Sequence, residues 1–247
     1  EAIVAYIRYM YPDVKVSVFT RNSFKNTEKC DIVFLGFEEI TLPFKKLVLQ
    51  KKQQGEFDAY MKSLKKITNL YPKLPFAEFI VDKCRYYRWL DSIDIKVSPT
   101  LCVKLGEKTS PTYVKQRLRP KEWNKVFVKP LPGAEGTNVR SFNANNLRYK
   151  KGNLNHHIEY LKNRGFTKVV AQKFMENFAT AEHPELRTFW VGNEYQYTIE
   201  TTGAGYDWNV RKSPIPHSLY LKCKKVLKHL AEKFRQELII TRLDWGY

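Results

Sequence analysis

The chain has 247 residues, 43% of them apolar and 14% aromatic, enough for one large domain or two compact lobes around a sizeable core. Its net charge of +18 calls for a polyanionic partner: a nucleotide, a phosphorylated substrate, nucleic acid or an acidic membrane. No apolar run is long enough to cross a membrane, none reads as a signal peptide, and Cys30, Cys84, Cys102 and Cys223 lack the Cys-x-x-Cys spacing of a zinc clip, so reduced core cysteines in a cytoplasmic protein are expected.

The charge is nearly balanced through residue 60 and basic beyond it. Residues 3–10 read as a short helix or strand, and residues 14–19 alternate like a strand. Residues 31–36 form a continuous apolar run, as in a strand buried on both faces of a parallel sheet. These are pieces of a small α/β lobe, expected to begin before Glu1. Phe57, Tyr60, Met61, Leu64 and Ile67 recur at helical spacing with lysines between them. Residues 70–75 are a turn-rich break, and 84–90 read as a helix. Lys104, Lys108, Lys115, Arg117, Arg119, Lys121 and Lys125 make 104–125 a basic run. It is either a solvated face or a surface for phosphates or nucleic acid, and Trp123 alone supplies little stacking for bases.

Residues 126–128 alternate as a strand that ends at Lys129-Pro130. A short turn with Gly133, Gly136 and Thr137 follows, and 139–142 return as the second strand of a hairpin. A lysine at a strand's end beside such a turn can hold phosphate. The glycines let backbone N–H groups approach an anion, and the lysine adds a charge. The stretch is neither a Walker loop nor a dinucleotide fingerprint, because the Lys-Ser/Thr pair and the Gly-x-Gly-x-x-Gly order are missing.

Residues 143–155 are polar and read as a loop, and 156–161 as a helix stopped by Gly165. His156 and His157 lie about 100° apart on that helix and cannot both serve one metal. Residues 167–176 are a strand running into a polar break. Residues 185–194 and 195–201 are two strands joined through Gly192-Asn193, and alternation puts Glu185 and Arg187 on one face. Gly203 and Gly205 open a loop with Asn209, Arg211 and Lys212, and closure over a substrate is the expectation for it. Cys223, Val226, Leu227, Leu230, Ala231, Phe234 and Leu238 form the stripe of an amphipathic helix. Residues 239–246 are a last strand, with Arg242 and Asp244 on one face.

Five segments, in this order, resemble the ATP-grasp superfamily: Asp82-Lys83 before a helix, Lys129 with its glycine turn, the stretch 172–175, Glu185-x-Arg187, and Arg242-x-Asp244. The last two are similar to motifs of the glutathione synthetase and D-alanine–D-alanine ligase branches. The resemblance implies an α+β fold of two lobes that sandwich a nucleotide, about 75–170 and 171–247, after an N-terminal α/β lobe over 1–74. It implies that Lys83, Lys129, Gly133 and Gly136 meet phosphates. Gln172, Lys173, Phe174 and Met175 would receive adenine, and Glu185 the ribose. Arg187 would contact the acceptor or an acyl phosphate, Arg242 would neutralise the phosphoryl group in transfer, and Asp244 would bind magnesium.

The implied activity is an ATP- and magnesium-dependent ligase that joins a carboxylate to an amine or thiol through an acyl phosphate. No protein nucleophile is required, so the lack of a Ser-His or Cys-His constellation is no objection. Two alternatives stand beside it: a kinase of the same fold acting on an inositol phosphate, and a non-catalytic nucleic-acid-binding protein using 104–125. The family carries a Glu-x-Asn metal motif after its Arg-x-Asp strand. This sequence ends at Tyr247, so either the domain is expected to continue or the protein only binds.

Overall fold

The computed structural model describes residues 9–17, 27–36, 40–106, 111–118, 123–133, 138–143, 148–149, 152–202 and 207–246. In the N-terminal part, β1 (Val33–Phe34) pairs in parallel with β2 (Leu70–Tyr71). Residues 14–17 are not in a strand, and 18–19, like 3–8, lie outside the described residues. Leu70 and Tyr71 were expected in a turn. Pairing with β1 makes them a strand, which no local pattern of two residues announces. The helix α1 (Gln54–Leu64) places Tyr60 and Leu64 against Val33, Leu35 and Leu70, as its apolar spacing requires. Two helices follow, α2 (Leu74–Val81) and α3 (Lys83–Ser92). Asp82 divides them: its carboxylate accepts from the N–H groups of Cys84 and Arg85 and so caps α3.

The first large sheet has the order β3-β8-β4-β5 and is antiparallel throughout. Its strands are β3 (Thr100–Lys104), β4 (Lys125–Leu131), β5 (Arg140–Asn143) and β8 (Lys168–Lys173). Between them in sequence lie α4 (Pro111–Leu118), the small pair β6 (Arg148–Tyr149) and β7 (Gly152–Asn153), and α5 (Leu154–Asn163). The pair β6–β7 replaces part of the expected loop. Asn153 caps α5 by accepting from the His156 N–H, and Gly165, at φ +95, ends the turn after it. One face of the sheet is buried: Val126, Val128, Phe142, Val169 and Ala171 pack on Val114, Ile158 and Leu161 of the helices. The register puts Phe127, Lys129, Val170 and Gln172 on the other face.

The second sheet has the order β11-β10-β9-β12, from β9 (Glu185–Val191), β10 (Glu194–Thr202), β11 (Asp207–Val210) and β12 (Ile240–Trp245). Behind it lies α6 (His217–Phe234), whose Cys223, Val226, Leu227 and Leu230 pack with Trp190 and with Phe76 and Phe79 of α2. The helix ends at Arg235 in the left-handed conformation, so Leu238 of the predicted stripe is buried from the following turn instead. Glu185, Arg187, Phe189 and Val191 all project from the front of this sheet.

The expectation of four reduced cysteines is corrected. Cys84 of α3 and Cys102 of β3 form a disulfide with Cα atoms 5.9 Å apart, while Cys30 and Cys223 are free. The two partners lie 18 residues apart, and only the packing of α3 on the front of the first sheet brings them together. No helix of the described residues is long and apolar enough to cross a membrane.

Trp190 is fully buried, and its indole N–H donates to Thr188 Oγ1 at 3.0 Å. Trp190→Ala should therefore cost about 3–5 kcal/mol in urea unfolding. A loss below about 1 kcal/mol would mean that the back of the second sheet is not what holds it.

Candidate functional site

Two lysines from distant elements meet at the front of the first sheet. Lys83, the first residue of α3, turns its ammonium to the Gly133 carbonyl at 2.9 Å, which ties the helix to the turn after β4. A Cβ at Gly133 would lie 2.6 Å from the Pro130 carbonyl oxygen, so this turn admits only glycine without a shift. Gly136 lies outside the described residues. Lys129 projects from β4 and donates to Gln172 Oε1 at 2.7 Å. Gln172 in turn donates to Thr100 Oγ1 at 3.4 Å, and Thr100 to the Ser98 carbonyl at 2.6 Å. Burial lowers the pKa of Lys129 to about 8; the neighbouring Lys83 charge adds to the drop, and Glu185 opposes it. Burial also lowers Lys83.

The stretch 172–175 is more committed than its sequence suggests. The Lys173 N–H donates to the Pro99 carbonyl and the Phe174 N–H to the Lys125 carbonyl, both at 2.9 Å. Ser98 Oγ donates to the Lys173 carbonyl at 3.0 Å. Gln172 acts through its side chain, on Lys129. The Phe174 ring lies 4.9 Å from that of Phe127, and Lys125 Nζ sits 3.9 Å from its centroid. Phe127 and Phe174 thus form an apolar wall, with Met175 exposed beside it.

The front of the second sheet carries paired charges, and its Glu185 lies within electrostatic reach of Lys129. Glu185 Oε2 accepts from Arg187 Nη2 at 2.7 Å and from Thr201 Oγ1 at 2.8 Å. Asp244 lies opposite Arg187 in the β9–β12 register and is held by Arg242 through two hydrogen bonds of 2.9 and 3.0 Å. Burial raises the Asp244 pKa; the Arg242 charge and hydrogen bonds oppose that, and Glu185 adds to it. Tyr86 of α3 reaches the same corner. Its pKa is raised by burial first, then by Tyr87 and the Asp244 charge.

Lys83, Lys129, Gly133, Gln172, Glu185, Arg187, Arg242 and Asp244 therefore lie on a sheet front or on the edge of α3 and the β4 turn, whereas Lys173 pairs with Val126 on the back of the first sheet and Phe174 and Met175 follow the end of β8. Thr201, Phe127, Tyr86 and the side-chain role of Gln172 were missed. The Gly192 turn alone would set Glu200 opposite Glu185; the register shift between Tyr195 and Tyr197 puts Thr201 there instead, and no local signal announces it. Tyr86 had no local signal, because nothing in α3 says which sheet it meets.

Other sequence features stay outside this cluster. His157 is buried against Phe142 and Tyr160, and burial, with Arg140, lowers its pKa to about 4. Of the loop beyond β10, residues 203–206 lie outside the described residues, and Arg211 is paired with Glu200. Lys108, Arg119 and Lys121 of the basic run also lie outside them, and Arg117 contacts Tyr113 on α4. No group of three or more His, Cys, Asp and Glu gathers for a metal among the described residues. Asp244 and Glu185, within electrostatic reach of each other, offer hard oxygen donors only. That fits magnesium, which keeps waters and substrate oxygens as its other ligands.

No family model matches the sequence, and no curated protein matches it. Solved structures do. D-cycloserine synthetase DcsG superimposes with a TM-score of 0.71 at 18% identity, over 99% of this chain and 84% of that one. A D-alanine–D-alanine ligase from Bacillus anthracis gives 0.51 at 12%, over 76% and 60% of the two chains. The ATP-grasp ligase PsnB, complexed with minimal precursor, Mg and ADP, gives 0.50 at 12%, over 87% and 63%. This chain thus spans less than two thirds of the length of the last two. At such identities the likeness lies in the backbone. This chain shares its fold over nearly its whole length with D-cycloserine synthetase DcsG and over most of it with the ATP-grasp ligase PsnB.

Proposed function

We propose that the protein binds ATP with magnesium and ligates a carboxylate to an amine, releasing ADP and phosphate. The observation that carries this reading is the meeting of Lys83 and Lys129. Burial disfavours the charge on both ammonium groups and the Lys83 charge lowers Lys129 further, so a polyphosphate set between them would relieve both the desolvation and the repulsion. The fold supports it: ligases occur among its structural neighbours.

In this reading Lys83, Lys129 and the turn at Gly133 and Gly136 hold the phosphates. Phe127 and Phe174 cover adenine. The Lys173 and Phe174 amides already have partners, so the donor to the ring edge is assigned to Met175. Glu185 takes the ribose hydroxyls. A substrate carboxylate oxygen attacks the γ-phosphorus, the bond to the β-phosphate oxygen breaks, and ADP leaves. An amine then attacks the acyl carbon, phosphate departs, and the amine loses a proton. Arg187 and Arg242 offset the negative charge on the oxygens in transfer. Asp244 would hold magnesium, which adds further positive charge at the phosphates. The nucleotide would lie between lobes 75–170 and 171–247, with 1–74 as a separate leading lobe.

Calorimetry with ATP and magnesium should show binding, and Lys129→Ala should weaken it by at least about tenfold. Lys129 is charged below its pKa of about 8 and neutral above it. Affinity should therefore hold up to about pH 7 and fall through about pH 8–9, whereas Lys129→Arg, which does not titrate there, should flatten the curve. Wild type and Lys129→Ala giving the same isotherm would remove the phosphate site.

Glu185→Ala should weaken ATP more than inorganic triphosphate, by about 1.5–3 kcal/mol for a lost charge-assisted hydrogen bond. Equal losses for the two ligands would put Glu185 away from the ribose. Asp244→Asn should abolish the gain in ATP affinity that magnesium confers on wild type and leave metal-free ATP binding little changed. An undiminished magnesium effect in that variant would remove Asp244 as the ligand.

A further inference from the structure

Along β9 and β12 the front of the second sheet changes from charged to apolar, while β11 adds exposed Trp208 and Val210 at the charged end. On β9, Glu185 and Arg187 are followed on the same face by Phe189 and Val191. The register sets Tyr197 beside Phe189 and Ile240 beside Val191. The Phe189 and Tyr197 rings are stacked, 4.6 Å apart and 12° from parallel. Tyr197 is 43% exposed, Val191 49% and Ile240 64%. The back of the same strands buries Trp190 completely, so this exposure belongs to the front alone. A contiguous apolar strip left exposed on a sheet face marks a surface for another molecule. Arg242, paired in register with Phe189, stands where the charged part ends and the strip begins.

We infer that this strip is the subsite for the substrate's side chain, and that the substrate is an amino acid or peptide end bearing an aromatic group. The inference rests on the ligase reading and names its substrate class. A strand rises about 3.4 Å per residue, so Phe189 lies about 7 Å beyond Arg187. That is the reach of a benzyl group whose carboxylate sits at Arg187 and Arg242. The stacked pair offers a flat face to such a ring. An inositol phosphate carries charge on every side and would lay phosphates on Tyr197, Val191 and Ile240, which offer no compensating cation. The same strip thus separates the ligase from the kinase alternative.

The test is equilibrium binding of phenylalanine, aspartate and inositol hexakisphosphate to the chain in the presence of magnesium and a non-hydrolysable ATP analogue. Phenylalanine should bind. Tyr197→Ala should weaken it about fivefold, and Tyr197→Phe should restore it, because stacking needs the ring and not the hydroxyl. Ile240→Lys, at an exposed position, should weaken it likewise. Affinity for the analogue alone should stay within about twofold in all three variants, since none touches the phosphate end. Phenylalanine failing to bind, binding Tyr197→Ala as tightly as wild type, or being displaced by aspartate or inositol hexakisphosphate would overturn the subsite. If the analogue itself does not bind wild type, the nucleotide reading fails and this inference falls with it. If it binds and phenylalanine does not, the subsite alone fails.

Discussion

Each large sheet of this protein buries one face behind helices, and α3 covers only part of the other face of the first, at Val170. Period-two alternation makes that possible, because every second side chain can be apolar without constraining its neighbours. Val126, Val128, Val169 and Ala171 hold the first sheet to its helices, while Leu186, Thr188 and Trp190 are the buried side chains on the back of β9. The intervening positions are then available for lysine, glutamine, glutamate and arginine. The charges of the site lie on faces that folding does not need to bury, yet they are carried by strands that folding fixes firmly.

The cost of that arrangement appears in the lysines. Lys129 is buried enough to lose ordinary lysine basicity, and its neutral partner Gln172 restores only part of the lost solvation. Lys83 brings a second cation where a counter-ion would be more stabilising. The acids nearby are largely committed: Glu185 to Arg187 and Thr201, Asp244 to Arg242. A site with paired acids and crowded cations is set up to gain from an added anion.

Asp82 links several of these features. It caps α3 through two backbone N–H groups, and its other oxygen accepts from Lys168 of β8 at 2.8 Å. The disulfide between Cys84 and Cys102 joins the same helix to the same sheet. Together they fix the direction in which α3 leaves the sheet, and so where Lys83 and Tyr86 point.

Much of the site is legible in the chain alone, where it depends on short-range rules. Lys129 before its glycine turn, Glu185 with Arg187, and Arg242 with Asp244 each follow from strand alternation over three or four residues. The helix stripe from Cys223 to Phe234 follows from its period in the same way. What only the tertiary structure decided is which of these pieces face one another. Leu70 and Tyr71 become a strand because Val33 and Phe34 pair with them; Cys84 meets Cys102; Gln172 turns its side chain to Lys129; Tyr86 arrives at Asp244. Each is a contact between residues distant in sequence. Alternation says which way a side chain points from its own strand, but the packing of helices behind the sheets decides what stands opposite it.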